Sequence, residues 1–220
     1  MKFFDATLFS SRFAACALAA GLGFSMLGFL TGCNKTPDLT APAPAAKAAT
    51  QKVDAAALAV IAAEGKGFSV GPPMSARVYY VFFDAQCPHC ATLWAASKPL
   101  KTQARFVWIP VGILNASSTS QGATMLAAID PAAVMDAHET SMLSKSGGIT
   151  AASGIDAQKA FIKTNTELMN RYGFASIPTV VGAHAQTGEI VRSEGALGTA
   201  ALAALLGLQA PGGTSVKPAI

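Results

Sequence analysis

The chain divides into short apolar runs of strand length and longer stretches whose apolar residues recur at helical spacing. Residues 77–83 (RVYYVFF) and 105–113 (RFVWIPVGI) are β-branched and aromatic, which predicts two strands, the first buried on both faces. Pro110 in the second run indicates a bulge or a sheet edge. Residues 88–101 have a helical pattern, and Pro88 suits its first turn because the missing N–H has no intrahelical partner there.

A long segment of helical pattern, residues 117–172, follows the second strand. Asp130 and Pro131 are typical of an N-cap and a first helical position. Asp156 begins a further helix that stops before Gly173. The apolar stripe predicted for this last helix consists of Phe161, Leu168 and Tyr172.

The C-terminal part of the pattern returns to strands. Residues 178–183 and 189–192 predict two strands that flank a Thr-Gly turn, and residues 199–206 predict a short final helix. A strand–helix–strand unit, a helical insert, a hairpin and a helix together predict an α/β domain with a mixed sheet. One domain over residues 75–207 accounts for all of these elements.

The segment before this domain, residues 53–74, predicts only a short helix and a linker. Asp54 is a suitable N-cap for a helix over residues 54–64, and Gly65 is a suitable stop. Residues 67–73 (GFSVGPP) are expected to break the chain.

The first 32 residues have the layout of a secretory signal. Lys2 and Arg12 precede an uncharged apolar stretch, residues 13–30, and Leu-Thr-Gly then leads into Cys33. This ending resembles the lipobox of bacterial lipoproteins, which implies that Cys33 is lipidated and becomes the first residue of the mature chain. An uncleaved signal anchor is the alternative. Both interpretations place the rest of the chain outside the cytoplasm.

Residues 34–52 are rich in Pro, Ala and Thr and predict an extended tether. In a polyproline-like conformation this tether would reach on the order of 60 Å, enough to hold a domain away from a membrane surface. The predicted organisation is a signal peptide (1–32), a lipidated cysteine and tether (33–52), a short helix and linker (53–74), the main domain (75–207) and a flexible tail (208–220).

Composition narrows the functional classes. The chain is 51% hydrophobic, which supports a packed core, and only 13% charged with a net charge of +4. It contains no run of five basic residues, so nucleic-acid binding is not predicted. Of the four cysteines, Cys16 lies in the apolar signal region and Cys33 in the lipobox, which leaves Cys87 and Cys90 as a CxxC pair. Outside the cytoplasm such a pair is a disulfide or a redox couple.

The motif Cys87-Pro88-His89-Cys90 directly follows a predicted strand and begins a predicted helix. The N–H groups and dipole of a helix N-terminus stabilise an anion, so a thiolate there has a lowered pKa. Cys87 lies nearer the helix end and is the expected nucleophile, while Cys90 can attack a mixed disulfide one turn later. His89, if protonated, adds positive charge beside the thiolate.

Other roles for this motif have less support. A structural disulfide across so short a loop would contribute only about 2 kcal/mol. No second Cys/His pair is available for zinc, whereas copper binding through both thiolates and His89 stays open. Haem attachment requires a histidine after the second cysteine, and the chain has Ala91 there. The sequence thus predicts no cofactor and no resident metal.

A second motif, Ser-Ile-Pro-Thr-Val at residues 176–180, begins the third predicted strand with Pro178. A proline there cannot pair centrally. If the bond from Ile177 is cis, the backbone of Ile177 can face an incoming peptide. An ordinary edge-strand proline is the alternative, and the upstream CxxC motif favours the first interpretation.

Five segments within residues 75–207 form a set: VFFDAQCPHC, FVWIPVGIL, IDPAAVMDAH, NTELMNRYGFASIPTVVG and EIVRSEGAL. Together they resemble the catalytic domain of bacterial periplasmic disulfide isomerases of the DsbC/DsbG type, and more closely DsbG. The resemblance implies a thioredoxin-like fold with a helical insertion, a nucleophilic Cys87, a resolving Cys90 and a cis bond before Pro178. Asp84 matches the Phe-x-Asp-x-x-Cys pattern of that family, and a turn carboxylate is the alternative role.

Three departures from the family bear on function. Ile177 stands where the family usually has Thr and is the residue that thioredoxin carries, whereas His89 gives a DsbA-like Pro-His pair typical of oxidants. These two features favour opposite redox directions. The family also has an N-terminal dimerisation domain, and residues 34–74 are too few for one, so a monomer is predicted.

The lipobox and the resemblance together imply a periplasmic, lipid-anchored thiol–disulfide oxidoreductase that acts on protein disulfides or oxidised cysteines, with the choice of inner or outer membrane open. It also implies a membrane redox partner of the DsbD or DsbB type. The alternative from another class is a thioredoxin-fold lipoprotein that binds copper, or an assembly factor whose CxxC pair is structural.

A few further residues receive predicted roles. The apolar rim of the site is expected to consist of Phe83, Trp94 and Ile177. Trp94 lies on the same predicted helix face as Cys87 and Cys90, so its first expected role is a core position, with a wall of the site as the alternative. His138 and His184 have no partners at ligand spacing, so they are predicted to be surface or capping residues.

Overall fold

The computed structural model describes residues 53–212. The predicted signal peptide, Cys33 and the tether lie outside the described residues. The helices are α1 Ala55–Glu64, α2 Pro88–Ser97, α3 Ala116–Ala127, α4 Pro131–Leu143, α5 Asp156–Arg171 and α6 Thr199–Leu206, with a 3-10 turn at Lys98–Leu100. The strands are β1 Phe68–Val70, β2 Val78–Asp84, β3 Arg105–Val111, β4 Thr179–Ala183 and β5 Ile190–Glu194. Within residues 53–212, no helix is both long and apolar enough to span a bilayer.

The five strands form one mixed sheet in the order β1-β3-β2-β4-β5. Strands β2 and β3 run parallel, with Phe82 opposite Ile109, and the other three pairings are antiparallel. The predicted α/β class with a mixed central sheet is therefore confirmed. The carboxyl ends of β2 and β3 and the start of β4 meet at the same edge, which is where the cysteine motif lies.

Both faces of the sheet are buried, as the sequence predicts for β2. Tyr79 and Phe83 belong to a large core cluster that includes residues of α2, α4 and α6. Phe82, which points to the opposite face, packs with residues of α1 and α5 in a second cluster. Burial on both faces explains why β2 reads as a continuous apolar run without alternation.

Three helices begin or end at the capping residues that the sequence predicts. The Asp54 side chain accepts a hydrogen bond from the Ala57 N–H at 2.9 Å, and Asp130 accepts one from Ala133 at 3.0 Å. Gly173 follows the end of α5 with a φ of 60°, a left-handed conformation that favours glycine. These three ends are set by local sequence, since a single side chain or a single glycine determines each of them.

The expectation that residues 67–73 only break the chain is wrong. Phe68–Val70 is the edge strand β1, which pairs with β3 so that Phe68 lies opposite Trp108. The Phe68 ring packs edge-on against Phe83 at 6.1 Å and Trp94 at 6.3 Å between centroids. A strand of three residues is too short for alternation to reveal it, and tertiary packing decides its state.

The predicted stripe of α5 is wrong at one position. Phe161 is 40% exposed, and the buried positions of α5 are Ile162, Asn165, Leu168 and Met169. The Asn165 amide donates to the carbonyls of Lys66 and Pro110, both at 2.8 Å.

Pro110 lies in the internal strand β3, where it is paired with β2 on one side. On its other side β3 pairs with β1 only at residues 106–108, so Pro110 is at an open edge there, as predicted.

The prediction that the flexible tail starts at residue 208 is wrong. Leu208 is buried, and the side chain of Gln103 exchanges two hydrogen bonds with the backbone of Gln209, at 2.8 and 2.9 Å. The first residues after α6 thus pack onto the domain because Leu208 adds to its core. Residues 213–220 lie outside the described part of the chain.

Candidate active site

Cys87 is the N-cap residue of α2 and lies at the carboxyl edge of the sheet. Its N–H donates to the Asp84 carbonyl at 3.0 Å, and its own carbonyl accepts from the Cys90 N–H at 3.0 Å. Pro88 occupies the first helical position, as predicted, and both Pro88 and His89 are exposed. The strand–turn–helix context expected for the motif is present, so the Cys87 sulfur lies where the helix N–H groups converge.

The pKa of Cys87 is lowered to about 6, first of all because the Cys90 side chain donates a hydrogen bond to the Cys87 thiolate. Burial opposes this effect, while the backbone N–H groups of Cys90 and His89 and the charge of His89 add to it. A thiol with such a pKa is largely ionised at neutral pH. It is therefore a good nucleophile for disulfide exchange.

Cys90 has the opposite environment. It is fully buried, whereas Cys87 retains 6% of its exposure. Burial, followed by the hydrogen bond to Cys87 and the Cys87 charge, raises the pKa of Cys90 well above its usual value. Both cysteines are free thiols in the structure. The two sulfurs therefore form an unequal pair with one thiolate and one protonated thiol at neutral pH.

The loop before β4 contacts the cysteine motif. The bond between Ile177 and Pro178 is cis, and the Cys87 sulfur lies 3.8 Å from the Ile177 carbonyl oxygen. Pro178 is buried and its carbonyl accepts from the Gly195 N–H at 2.7 Å, while the Thr179 hydroxyl donates to the Ser176 carbonyl at 2.6 Å. The loop is thus held against the sulfur by contacts on both of its sides.

Asp84 organises the turn that carries Cys87. Its carboxylate is fully buried and accepts three backbone N–H bonds, from Gln86 at 2.8 Å on one oxygen and from Ile113 at 2.8 Å and Leu114 at 3.1 Å on the other. Asp84 thereby joins the ends of β2 and β3. Of the two roles considered for this residue, the contacts favour the turn carboxylate.

The prediction that His138 is a surface or capping residue is wrong. His138 is fully buried on α4, its Nε2 lies 2.6 Å from the Ala85 carbonyl, and its Nδ1 accepts from the Ile149 N–H at 3.2 Å. A carbonyl can only accept, so Nε2 carries the proton of a neutral ring. Gly148, at a φ of 89°, lies so close to this ring that a Cβ there would come within 2.3 Å of Cε1. His184, by contrast, accepts from the N–H groups of Gln186 and Thr187, as a capping residue does.

Two glutamines, Gln86 and Gln121, add further contacts between the helical insertion and the turn before Cys87. The Gln86 amide donates to the Gln121 side chain and, at 3.2 Å, to the Gly147 carbonyl. Gln121 in turn donates to the carbonyls of Gly147 at 2.8 Å and Ile149 at 2.9 Å. Helices α3 and α4 of the insertion therefore bind the two residues that precede Cys87, α3 through Gln121 and α4 through His138.

The predicted apolar rim is wrong for Phe83, whereas for Trp94 the expected core position is confirmed. Phe83 is fully buried and Trp94 is 3% exposed, because both rings pack on Trp108 in the core. The Trp94 Nε1 donates to Asp136 at 2.7 Å, so this side chain bridges α2 and α4. Only Ile177 is partly exposed.

Sequence reasoning missed Glu139. This residue lies one position after His138 on α4, is 5% exposed, and neither of its carboxylate oxygens has a hydrogen-bond partner. Burial, and next the charge of Cys87, raises the pKa of Glu139 to about 8. In the sequence, only its position hints at a role: Glu139 follows Asp136 by about one helical turn and is next to His138.

Within residues 53–212, no group of three or more His, Cys, Asp or Glu side chains could hold a metal ion.

The architecture and the paired cysteines define a thioredoxin-fold protein with a CxxC motif. The chain is 31% identical over 136 residues to the thiol:disulfide interchange protein DsbG of Pseudomonas aeruginosa, which confirms the resemblance to DsbG-type proteins. The match covers 60% of this chain and 51% of that relative, so the chain spans about half the length of the curated relative. No family model matches the chain.

Solved structures support the same fold. The catalytic domain of Proteus mirabilis ScsC superposes with a TM-score of 0.56 at 19% identity, covering 69% of this chain and 96% of that one. A periplasmic thioredoxin-like protein from Salmonella enterica gives 0.54 at 15% identity, with 71% and 97% covered. The thiol-disulfide exchange protein α-DsbA2 from Wolbachia pipientis gives 0.52 at 16% identity, with 69% and 93% covered. At these identities the likeness establishes the thioredoxin-like fold.

Proposed function

We propose that this chain is a thiol–disulfide oxidoreductase that acts on protein disulfides or oxidised cysteines. The observation that carries the proposal is the inequality of the two thiols. The pKa of Cys87 is lowered to about 6 at a helix N-terminus, while burial raises the pKa of Cys90. A structural disulfide has no need of this arrangement, whereas exchange chemistry requires it.

The reaction proceeds in two exchanges. The Cys87 thiolate attacks one sulfur of a substrate disulfide, which forms a mixed disulfide and releases the other substrate sulfur as a thiolate. Cys90 then loses its proton and attacks the Cys87 sulfur, so that the substrate leaves reduced and the protein keeps the disulfide. The reverse sequence oxidises a substrate dithiol, and both directions use the same two residues.

The loop before Pro178 supplies the substrate contact. The Ile177 carbonyl lies 3.8 Å from the Cys87 sulfur, and Ser176 beside it is exposed, so an extended substrate chain can pair with this loop. Ile113 and Leu114, which are 43% and 51% exposed at the same sheet edge, replace the buried Phe83 and Trp94 as candidates for an apolar substrate rim. Such a surface suits partly folded protein, in which apolar side chains are accessible.

Trapping tests the proposed function. In Cys90→Ala the mixed disulfide cannot be resolved, so substrate proteins are expected to accumulate as covalent adducts that a reductant releases. Cys87→Ala is the matched control, since it removes the nucleophile by the same atom change and is expected to trap few adducts. Equal trapping by both variants, or by neither, would contradict the assignment.

We further propose that the protein works in the periplasm, anchored through a lipid on Cys33, and exchanges electrons with a membrane partner of the DsbD or DsbB type. The lipobox in the sequence and the relatives named as periplasmic or as disulfide interchange proteins support this location. Cys33→Ser is expected to release the protein into the soluble fraction or to block its processing. Unchanged membrane association together with an intact N-terminus would overturn the anchor.

We propose that the protein is a monomer. Residues 53–70 add a helix and the edge strand to the thioredoxin-like sheet itself, which leaves them unavailable for a separate dimerisation domain. Sedimentation of the full chain in detergent is expected to give one protein mass, with poor isomerisation of scrambled disulfides. A stable dimer at micromolar concentration would overturn the proposal.

A further inference from the structure

Glu139 is a buried acid that makes no hydrogen bond. It is 5% exposed, and both carboxylate oxygens are without a partner. An unpartnered buried carboxyl group destabilises the folded protein when it is neutral, and more strongly when it is ionised. An apolar residue would fill the same space at lower cost. A role in the chemistry of the adjacent cysteines accounts for a carboxyl group at this position.

The helix that carries Glu139 faces the cysteine motif. Asp136, one turn earlier on α4, accepts a hydrogen bond from Trp94 and pairs with Lys98, both at the C-terminal half of α2 or just after it. His138 contacts the Ala85 carbonyl, which is two residues before Cys87. These contacts on both sides of Glu139 fix α4 against α2. The electrostatics agree with this placement of Glu139 near the cysteines. The negative charge of Cys87 raises the pKa of Glu139, and the negative charge of Glu139 raises the pKa of Cys90.

The other ionisable groups around Glu139 do not neutralise it. From α2 and the turn after it come the two cysteines and Lys98, whose charge only partly opposes the rise in the pKa of Glu139. Its own helix carries the neutral His138 and Asp136, which is paired with Lys98. Asp84 lies at the end of β2 with its oxygens fully bonded to backbone. Helix α3 and strand β1 carry no ionisable side chain.

We propose that Glu139 accepts the proton of Cys90 when Cys90 attacks the mixed disulfide. This inference rests on the proposed oxidoreductase function and names the base for its second step. While Cys87 is a thiolate, its negative charge keeps Glu139 protonated. When Cys87 enters the mixed disulfide that charge is lost, and Glu139 becomes easier to ionise because the repulsion has gone. Glu139 of α4 therefore becomes available as a base when Cys90 has to lose its proton.

Resolution by Cys90 moves one proton and exchanges one disulfide bond for another. The Cys90 S–H proton passes to the Glu139 carboxylate, directly or through one water, and the Cys90 sulfur forms a bond with the Cys87 sulfur. The bond between Cys87 and the substrate sulfur breaks, and the substrate departs as a thiolate that takes up a proton. The protein dithiol is oxidised by two electrons and the substrate disulfide is reduced by two. No other reactant is needed for this single turnover.

The reagent dithiobis(nitrobenzoate) separates the two steps. We use the full chain with Cys16 and Cys33 replaced by serine, so that only Cys87 and Cys90 react. Attack by Cys87 releases a first coloured thionitrobenzoate, and resolution by Cys90 releases a second. Glu139→Gln keeps the shape of the protonated acid, so the first release is expected to change less than about twofold at neutral pH, and the second to slow on the order of 10²-fold.

The pH dependence distinguishes a base from a packing residue. In the parent protein the second release is expected to accelerate as pH rises through the pKa of Glu139 in the mixed disulfide, which lies below about 8 because the Cys87 charge is absent. In Glu139→Gln this inflection is lost, and the rate rises only at the higher pH where Cys90 itself ionises. Glu167→Gln, the same change at an exposed position of α5, is the control and is expected to leave both releases unchanged.

A second variant covers the case in which Glu139→Gln folds poorly. Glu139→Met replaces the unpartnered acid with an apolar side chain of similar length, and it is expected to raise the melting temperature while slowing the second release equally. An unaltered second release and pH profile in both variants would overturn the role of Glu139 with the oxidoreductase function intact. Absence of a rapid first release in the parent protein would instead count against the proposed function itself.

Discussion

The sulfur of Cys87 lies 3.8 Å from the carbonyl oxygen of Ile177, although ninety positions separate the two residues along the chain. The contact joins the start of α2 to the loop before β4 at one edge of the sheet. It places the Cys87 sulfur beside the backbone carbonyl with which, as proposed above, a substrate chain pairs. The properties of this sulfur, and of the groups around it, give five predictions.

Cys87 is expected to react as a thiolate well below the usual pH range of a cysteine. With the pKa of Cys87 lowered to about 6, the rate of alkylation by iodoacetamide should reach half its maximum near pH 6. An unperturbed thiol reaches that point near pH 8.5. Mass spectrometry after brief labelling should find the label on Cys87 and almost none on Cys90, which is buried. Equal labelling of both thiols would contradict the assigned order of attack.

Asp84→Asn is expected to destabilise the protein by about 2–3 kcal/mol. The two carboxylate oxygens accept from opposite sides, Gln86 on one and the Ile113–Leu114 backbone on the other. An amide has one acceptor oxygen, so its NH₂ group must face at least one N–H donor. Urea unfolding measures the loss.

The matched control for this change is Asp130→Asn, the same substitution at an N-cap with an exposed hydrogen bond. Asn caps a helix as well as Asp does, so its cost should stay within about 0.5 kcal/mol. An Asp84→Asn variant as stable as the parent would show that the buried carboxylate does not organise the turn.

His138 is expected to make the protein acid-sensitive. Burial lowers the pKa of His138, so the folded state holds the ring neutral. The stability gained from this group is present above the unfolded pKa, about 6.5, and is lost as pH falls through the lower folded pKa. Unfolding free energies measured between about pH 7 and pH 4 should decline more steeply in the parent than in His138→Gln.

The neighbouring glycine gives an independent check on the same ring. Gly148→Ala places a methyl group against the His138 ring at a positive φ, and it should lower the melting temperature at every pH. Gly154→Ala is its control, with a comparable φ of 70° but open space around the Cβ position. A similar cost for both variants would show that strain alone, and not the His138 contact, is responsible.

Glu139 is expected to give the opposite pH dependence. Its folded pKa is raised to about 8, mainly by burial, whereas the unfolded value is about 4.3. The stability associated with this group is therefore present below about pH 4 and declines as pH rises toward 8. In the disulfide form, where the cysteines do not titrate, Glu139→Met should gain more stability over the parent at pH 8 than at pH 5. A pH-independent gain would contradict the raised pKa.

Local signals were sufficient for much of the fold and for the centre of the site. The caps at Asp54 and Asp130, the long apolar strand β2 and the Cys87–Cys90 motif each depend on neighbours within a few residues. The motif also defines its own electrostatics, because a strand that ends directly before a helix places the first cysteine at the helix N-terminus. Residues of this kind can be assigned from sequence because the physics that governs them is local.

Other features were decided by contacts between distant segments. The strand at Phe68 exists because it pairs with Trp108, and His138 is buried because the Ala85 carbonyl and the Ile149 N–H satisfy its ring. Phe83 and Trp94 meet in one core because α2 packs over the sheet and brings both rings against Trp108. Glu139 is the clearest case: in the sequence it is an ordinary helical glutamate, and only the packing of α4 against the cysteine helix removes its water and raises its pKa. The reactivity of Cys87 is thus determined by residues next to it in the sequence. The buried environment of His138 and Glu139, which sets their protonation, forms only when the insertion folds onto the sheet.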